Sequence, residues 1–244
     1  PQIGLNGGKV TGLEALLRWN SPDLGMVPPY RFIPLLEESR LILPVGRWVL
    51  TESLRRLREW QQAGIAPHHV SVNLSARQFE EPNLARVVDD AISAAGIDPK
   101  GLELEITEGT IMVQSEHTIR TLNELKEIGV AISVDDFGTG YSSIGYLKRF
   151  PLDRLKIDRT FVKDIPGDSD DVAITTAVIA LAHSLKLGVV AEGVETDDQI
   201  RFLRKQSCEE VQGFFYSKPL PVDLCSKFLR KHFGGQDKQA KSDT

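Results

Sequence analysis

Short runs rich in Val, Ile and Leu alternate along this chain with longer stretches in which apolar residues recur at helical spacing. The short runs fall at residues 2–3, 9–19, 70–74, 102–106, 130–134, 154–157, 189–191 and 210–214. Between them the period changes. Over 44–63, Pro44 suits a first helical turn, Val45, Trp48, Val49, Leu54 and Leu57 mark one face, and Gly64 supplies a stop. The same pattern predicts helices over 83–95, 118–128, 172–187, 196–205 and 222–232. Repeated strand–helix units imply a parallel sheet, and eight strand candidates imply closure into a TIM-like (β/α)8 barrel of the α/β class. One junction departs from this scheme. Asn6-Gly7 is a hairpin signal, so the first run, a truncated stub, is expected to lie antiparallel to the second. No boundary interrupts the pattern, so one domain is expected over 1–233, with a polar tail at 234–244 expected to be disordered.

The strand runs share a second property: most end in carboxylates or amides. Glu14, Asn73, Glu105 with Glu108, Asp135 with Asp136, Glu192 and Gln212 fall at six such ends, and Lys156 with Asp158 at a seventh. In a β/α barrel, the C-terminal strand ends build the active site. A single carboxylate at a strand end is usually a solvated or salt-bridged surface group, and Lys156 alone reads as a partner for Asp158. The coincidence across strands is what points to a site. Carboxylates gathered in one place repel each other unless cations bind among them. Oxygen ligands without a His or Cys cluster favour hard ions such as Mg²⁺ or Mn²⁺. The adjacent Asp135-Asp136 pair suits a bridge between two metals, the arrangement that activates water in phosphodiester hydrolysis. Glu103 is assigned to the face opposite Glu105, with a structural role. The segment 136–143, with Gly138 and Gly140, reads as a mobile loop over the site, since it lacks the spacing of a phosphate-binding fingerprint. Arg55, Arg56 and Arg58 read as a solvated helix face.

Composition narrows the classes further. A formal net charge of −5 over 244 residues leaves no basic footprint for duplex nucleic acid or an anionic membrane. Cys208 and Cys225 read as reduced thiols rather than a disulfide framework. No stretch reaches the length of a membrane-spanning helix. The opening Pro1-Gln2-Ile3-Gly4 carries neither an initiator Met nor a signal peptide, which reads as a piece cut from a longer chain. The expected location is the cytoplasm, with any membrane anchor in a part of the parent protein outside this sequence.

These residues resemble a known family. Gly12-Leu13-Glu14-Ala15-Leu16-Leu17-Arg18-Trp19 is similar to the signature of EAL domains, the cyclic di-GMP phosphodiesterases. So are Val72-Asn73-Leu74-Ser75, Glu105-Ile106-Thr107-Glu108, Asp135-Asp136-Phe137-Gly138-Thr139-Gly140, Leu155-Lys156-Ile157-Asp158, Ala191-Glu192-Gly193-Val194-Glu195 and Gln212-Gly213-Phe214. The resemblance implies that Glu14, Asn73, Glu105 and Asp135 hold a first metal, with Asp135 bridging to a second near Asp136 and Glu192. It implies that Lys156 positions the attacking water, that Glu192 is a general-base candidate, and that Gln212 supports the water network. Glu108 matches the anchor of the loop 136–143. Arg18 beside Leu17 matches a substrate contact, with a guanidinium suited to phosphate, and Glu195 and Phe214 match positions near the guanine pocket. The implied reaction hydrolyses cyclic di-GMP to linear 5'-pGpG with two Mg²⁺ or Mn²⁺ per site, Ca²⁺ being inhibitory. A homodimer and an upstream sensory or diguanylate cyclase module are also implied. The family's Tyr-Gln before the first-strand Pro has no counterpart here, so a glutamine that helps hold substrate is missing from the pattern. Two other readings compete: a catalytically silent cyclic di-GMP receptor, and a Schiff-base enzyme using Lys156. The second is disfavoured because carboxylates around Lys156 keep it protonated.

Overall fold

The computed structural model describes residues 1–112, 116–140 and 147–233. Among them, eight strands close into a barrel: β1 (Gln2–Gly4), β2 (Val10–Ala15), β5 (His69–Leu74), β6 (Leu102–Thr107), β7 (Ala131–Phe137), β8 (Arg154–Ile157), β9 (Gly188–Ala191) and β10 (Glu210–Gln212). From β2 through β5 to β10 each neighbour pair is parallel. β1 closes the ring antiparallel to both β2 and β10, as the Asn6-Gly7 turn requires.

The predicted run 9–19 is broken in two. Pairing of β2 with β5 ends at Ala15 opposite Val72, so Leu16, Leu17 and Arg18 leave the barrel. Trp19–Ser21 (β3) then pairs with Gly25–Val27 (β4) in a separate antiparallel hairpin. Trp19 packs edge-on against Phe32 at a centroid distance of 5.8 Å. Phe32 belongs to α1 (Pro29–Glu38), a helix the sequence reading did not contain. Pro29 occupies its first turn, where its missing N–H costs nothing.

The helices that wrap the barrel match the periodic stretches, with ends moved by capping. α2 (Ile42–Gln62) begins two residues before the expected Pro44. It is followed by α3 (Ala76–Phe79), α4 (Leu84–Ala95), α5 (Glu108–Met112), α6 (Glu116–Ile128) and α7 (Arg159–Val162). α8 (Ser169–Ser184) starts earlier than 172 because the Asp168 carboxylate accepts from the Asp170 and Asp171 amides. α9 (Asp197–Lys205) opens with a Thr196–Gln199 capping box, and α10 (Val222–Phe233) completes the ring. On α2, Arg55 and Arg56 pair with Glu52 and Glu59 on the solvated face, as expected.

The core lies between strands and helices rather than inside the barrel. Val70, Val72, Leu104, Ile106, Ile132, Val134, Leu155 and Ile157 are all buried, facing outward to Leu54, Leu57, Val88, Leu122 and Leu125 of the helices. Period-two alternation then sends Ser71, Asn73, Glu103, Glu105, Ser133, Asp135, Arg154 and Lys156 into the lumen. The assignment of Glu103 to the opposite face from Glu105 is therefore corrected: residues two apart on a strand share a face. Contacts between strands that are not neighbours confirm it. Glu103 on β6 ion-pairs with Arg154 on β8, and β7 lies between them.

Glu103 is part of a lower polar layer in the lumen. His69 Nε2 lies 2.8 Å from Gln2 Oε1, and Arg154 Nη2 lies 3.5 Å from Glu210 Oε1. Burial, followed by the Arg154 charge, pushes the His69 pKa down to about 4, so the ring is neutral. Gly12 makes room for this layer: a Cβ there would stand 2.3 Å from Gln2 Oε1 and 2.4 Å from His69 Nε2. Replacing Gly12 by Ala is expected to cost about 1–3 kcal/mol through overpacking. Urea denaturation of the Gly12→Ala chain measures this, and an unshifted midpoint would show that the lower layer yields freely.

Candidate metal centre

One layer above, at the C-terminal strand ends, the lumen gathers most of the polar residues singled out in the sequence. Lys156 on β8 has a fully buried side chain, held by Glu105 Oε2 at 2.7 Å, Glu192 Oε1 at 2.7 Å and Asp135 Oδ1 at 3.0 Å. Those three carboxylates come from β6, from the residue following β9, and from β7. The reading of Lys156 as a partner for Asp158 is thus replaced. Asp158 instead caps α7, accepting from the Thr160 amide at 2.9 Å. On the other side of the mouth, Glu14 at the end of β2 accepts from Asn73 Nδ2 at 2.9 Å and from Gln212 Nε2 on β10. One oxygen from each of Asp135, Asp136 and Glu192 lies within 4.8 Å of the others.

The charges in this layer do not balance. Among the described residues, Glu14, Glu105, Asp135, Asp136 and Glu192 face one side-chain ammonium, which leaves four formal negative charges on these side chains when all are ionised. The proton affinities record the strain. Burial, with Glu14 and Asp135, raises the Glu105 pKa well above the carboxylate range against the pull of Lys156. Burial likewise lifts Glu192 to about 7, Lys156 opposing and Asp135 and Glu14 adding to the rise. Asp136 is pushed up to about 6 by burial and by the Asp135 and Asp158 carboxylates. Burial also works to lower the Lys156 pKa, yet Glu105, Glu192, Glu14 and Asp135 outweigh it and raise it well above its ordinary value. Glu14 is the exception among the acids. Burial alone would raise it, but the Lys156 charge and the amides of Gln212 and Asn73 hold it low.

Backbone geometry shapes the edge of the cluster. Asp136 sits at φ 54°, a left-handed conformation unusual for a residue with a side chain, which turns the chain sharply after Asp135. Beyond it, the Gly138 amide donates to Glu108 Oε2 at 2.9 Å, and Glu108 is buried at the start of α5. A Cβ at Gly140 would stand 2.7 Å from Glu108 Oε1, so the loop can lie this close only with glycine there. The remainder of the loop, 141–143, lies outside the described residues, as does the tail 234–244.

The remaining expected site residues stand on the rim. Arg18 is exposed and donates to the Leu17 carbonyl at 2.9 Å. Glu195 is exposed, with its amide bonded to Gln199. Phe214 is 54% exposed, with the Lys218 ammonium 5.6 Å from its ring centroid. Asp158, noted with Lys156 at the seventh strand end, follows β8 directly and acts by its charge on Asp136.

The donor set suits divalent cations: carboxylate and amide oxygens, with Glu105 Oε1 and Gln212 Oε1 buried and lacking a hydrogen-bond partner among the described residues. The same constellation identifies the lineage. A family model described as EAL domain matches residues 1–219. The chain belongs to the EAL domain family. It is 44% identical over 223 residues to the bifunctional diguanylate cyclase/cyclic di-GMP phosphodiesterase MucR of Pseudomonas aeruginosa, covering 91% of this chain and 33% of that protein. It is 46% identical over 232 residues to the cyclic di-GMP phosphodiesterase NbdA of the same organism, covering 95% of this chain and 30% of NbdA. The chain thus spans about a third of these relatives. Among solved structures, the PaMucR phosphodiesterase in its c-di-GMP complex superposes with a TM-score of 0.88 at 44% identity, covering 92% of this chain and 91% of that one. The barrel of this EAL domain, with its one antiparallel strand, is therefore the family fold.

Raised carboxylate pKa values carry a sign. Between the unfolded value near 4.5 and the folded value of about 7, the folded EAL domain holds more protons than the unfolded chain, so Glu192 costs stability as pH rises through that window. A divalent cation in the cluster replaces those protons. Added Mn²⁺ is expected to raise the melting temperature more at about pH 7.5 than at about pH 5.5. The increment isolates the cluster, because the opposite pH dependence from His69 is the same with and without Mn²⁺ and cancels in the difference. Equal increments in calorimetric scans at the two pH values would show that these carboxylates do not take the cation.

Proposed function

We propose that this EAL domain hydrolyses one phosphodiester of cyclic di-GMP to linear 5'-pGpG, using two Mg²⁺ or Mn²⁺ ions. The observation that carries the reading is the charge imbalance around Lys156: the four uncompensated negative charges match two divalent cations. Glu14, Asn73, Glu105 and Asp135 would hold the first cation, and Asp135, Asp136 and Glu192 the second, with Asp135 shared. Ca²⁺ is expected to inhibit, since its longer and looser coordination disturbs a site built on a shared carboxylate. The names of MucR and NbdA and the bound ligand of the PaMucR structure support the choice of substrate.

Bound divalent cations supply Lewis-acid polarisation of the phosphate and make water acidic enough to attack. The chain's own groups then have separate tasks. Glu192, beside Lys156 and Asp135 at the mouth, would take the proton of the attacking water. Lys156, buried and protonated here, stands 2.7 Å from Glu192 Oε1 and would orient that water from beside this carboxylate. Water adds to phosphorus, the bond to the 3' oxygen breaks, and the proton passes to that leaving oxygen. Gln212 holds Glu14 in place, and Glu108 holds the loop at Gly138. Arg18 beside Leu17 would bind phosphate, with Glu195 and Phe214 near a guanine base. A homodimer, and an upstream sensory or diguanylate cyclase module in the parent protein, complete the proposal. The short coverage of MucR and NbdA supports a multidomain parent. Among the described residues no helix is long and apolar enough to cross a membrane.

Purified protein with Mn²⁺ and cyclic di-GMP tests the reading by chromatography of the products. The wild-type chain should release 5'-pGpG. Glu14→Ala and Asn73→Ala should each lower turnover by about 100-fold or more while circular dichroism stays native. Lys156→Ala should lower kcat far more than it raises KM. Tight binding of cyclic di-GMP by the wild-type chain without any 5'-pGpG would replace the enzyme by a receptor.

A further inference from the structure

The catalytic layer rests on a second charged layer that the proposed reaction does not use. Arg154 and Lys156 lie two residues apart on one face of β8, and Glu103 and Glu105 lie two apart on one face of β6. Two ion pairs therefore span the lumen over β7, one above the other: Glu105–Lys156 and, about 6–7 Å below, Glu103–Arg154. The lower pair is built in. Glu103 has no exposure at all, and the stem of Arg154 passes the bare backbone of Gly188, where a Cβ would stand 3.3 Å from Arg154 Cγ. His69 Nε2 is 3.7 Å from Glu103 Oε2 but is neutral, so it does not balance the carboxylate. Among the described residues of β5 to β9 facing the lumen, the other side-chain cation is Lys156.

We propose that Arg154 is a positioning residue for the site: by neutralising Glu103 and Glu210, it keeps Lys156 committed to Glu105, Asp135 and Glu192. The lower layer carries two carboxylates against one guanidinium, a net charge of −1. Without Arg154 the net charge becomes −2, and a buried carboxylate with no cation is costly. A lysine side chain has the reach and flexibility to turn down one layer toward Glu103. Lys156 would then leave the space where it orients water, and the metal-binding carboxylates above would lose a competing charge. Slower turnover would accompany cation binding that is no weaker than before. A simple loss of packing does not give that combination.

The proposal rests on the phosphodiesterase reading, so the test pairs turnover with Mn²⁺ affinity measured by electron paramagnetic resonance on the folded protein. Arg154→Met should lower kcat by about tenfold or more with a small change in KM, and should bind Mn²⁺ as tightly as wild type or more tightly. The double variant Glu103→Met with Arg154→Met returns the lower layer to −1 and should restore both values to within about threefold of wild type. Glu103→Gln alone should leave turnover near wild type, although it breaks the same ion pair. Wild-type kcat in Arg154→Met, as would follow if His69 took a proton and replaced the guanidinium, overturns the proposal. So does a double variant as slow as the single, or weakened Mn²⁺ binding in Arg154→Met. If Arg154→Met fails to fold, the double variant and Glu103→Gln decide by the same criteria. If wild type itself releases no 5'-pGpG, the phosphodiesterase reading has failed, and the Mn²⁺ affinities of the variants still test the movement of Lys156.

Discussion

A lysine ammonium taken wholly out of water costs several kcal/mol unless partners recover that energy. Lys156 meets this demand through three carboxylates from three separate strand ends, each within 3.0 Å of its Nζ. The rest of the mouth depends on that contact. It gathers Glu105, Asp135 and Glu192, which would otherwise repel one another. Because one cation cannot neutralise five acids, it also leaves the excess negative charge that suits divalent metals. The centre is therefore assembled by a permanent charge and left unfinished by it.

The barrel makes this arrangement possible by inverting the usual distribution of polarity. In many β/α barrels branched apolar side chains fill the lumen. Here the apolar residues of the strands face the helices, and the lumen carries two charged layers. Strands that never hydrogen-bond to each other are tied across this polar interior, so the relative heights of β6, β7 and β8 bear directly on the site. Gly12 and Gly188 are the signs of how tightly the lower layer is fitted, since each leaves the space that a neighbouring polar side chain occupies.

Much of this was legible in the chain, and the failures have physical causes. Helical period and Val/Ile-rich runs located the barrel strands and most helices, and Asn6-Gly7 announced the antiparallel closure. The run 9–19 misled because β-type composition continues past Ala15 while its pairing partner does not. α1 was not among the predicted helices, although Pro29 suits its first turn as Pro44 was read to suit that of α2. Glu103 was placed on the wrong face although period two puts it beside Glu105. Lys156 was first matched with its sequence neighbour Asp158, whereas its partners lie 51 residues away at Glu105 and on two further strands. Sequence adjacency says little about which side chains meet across a lumen. The strand-end carboxylates were visible one by one, but their shared dependence on Lys156 appeared only with closure of the ring.

The central claim is that the charge left over around Lys156 is completed by two divalent cations sharing Asp135. Anomalous diffraction from crystals grown with Mn²⁺ measures this without reference to turnover. Two anomalous peaks on either side of Asp135, with Lys156 still against Glu105 and Glu192, are the expected result. A single peak away from Asp135, or a cation that displaces Lys156 from its carboxylates, would contradict the account.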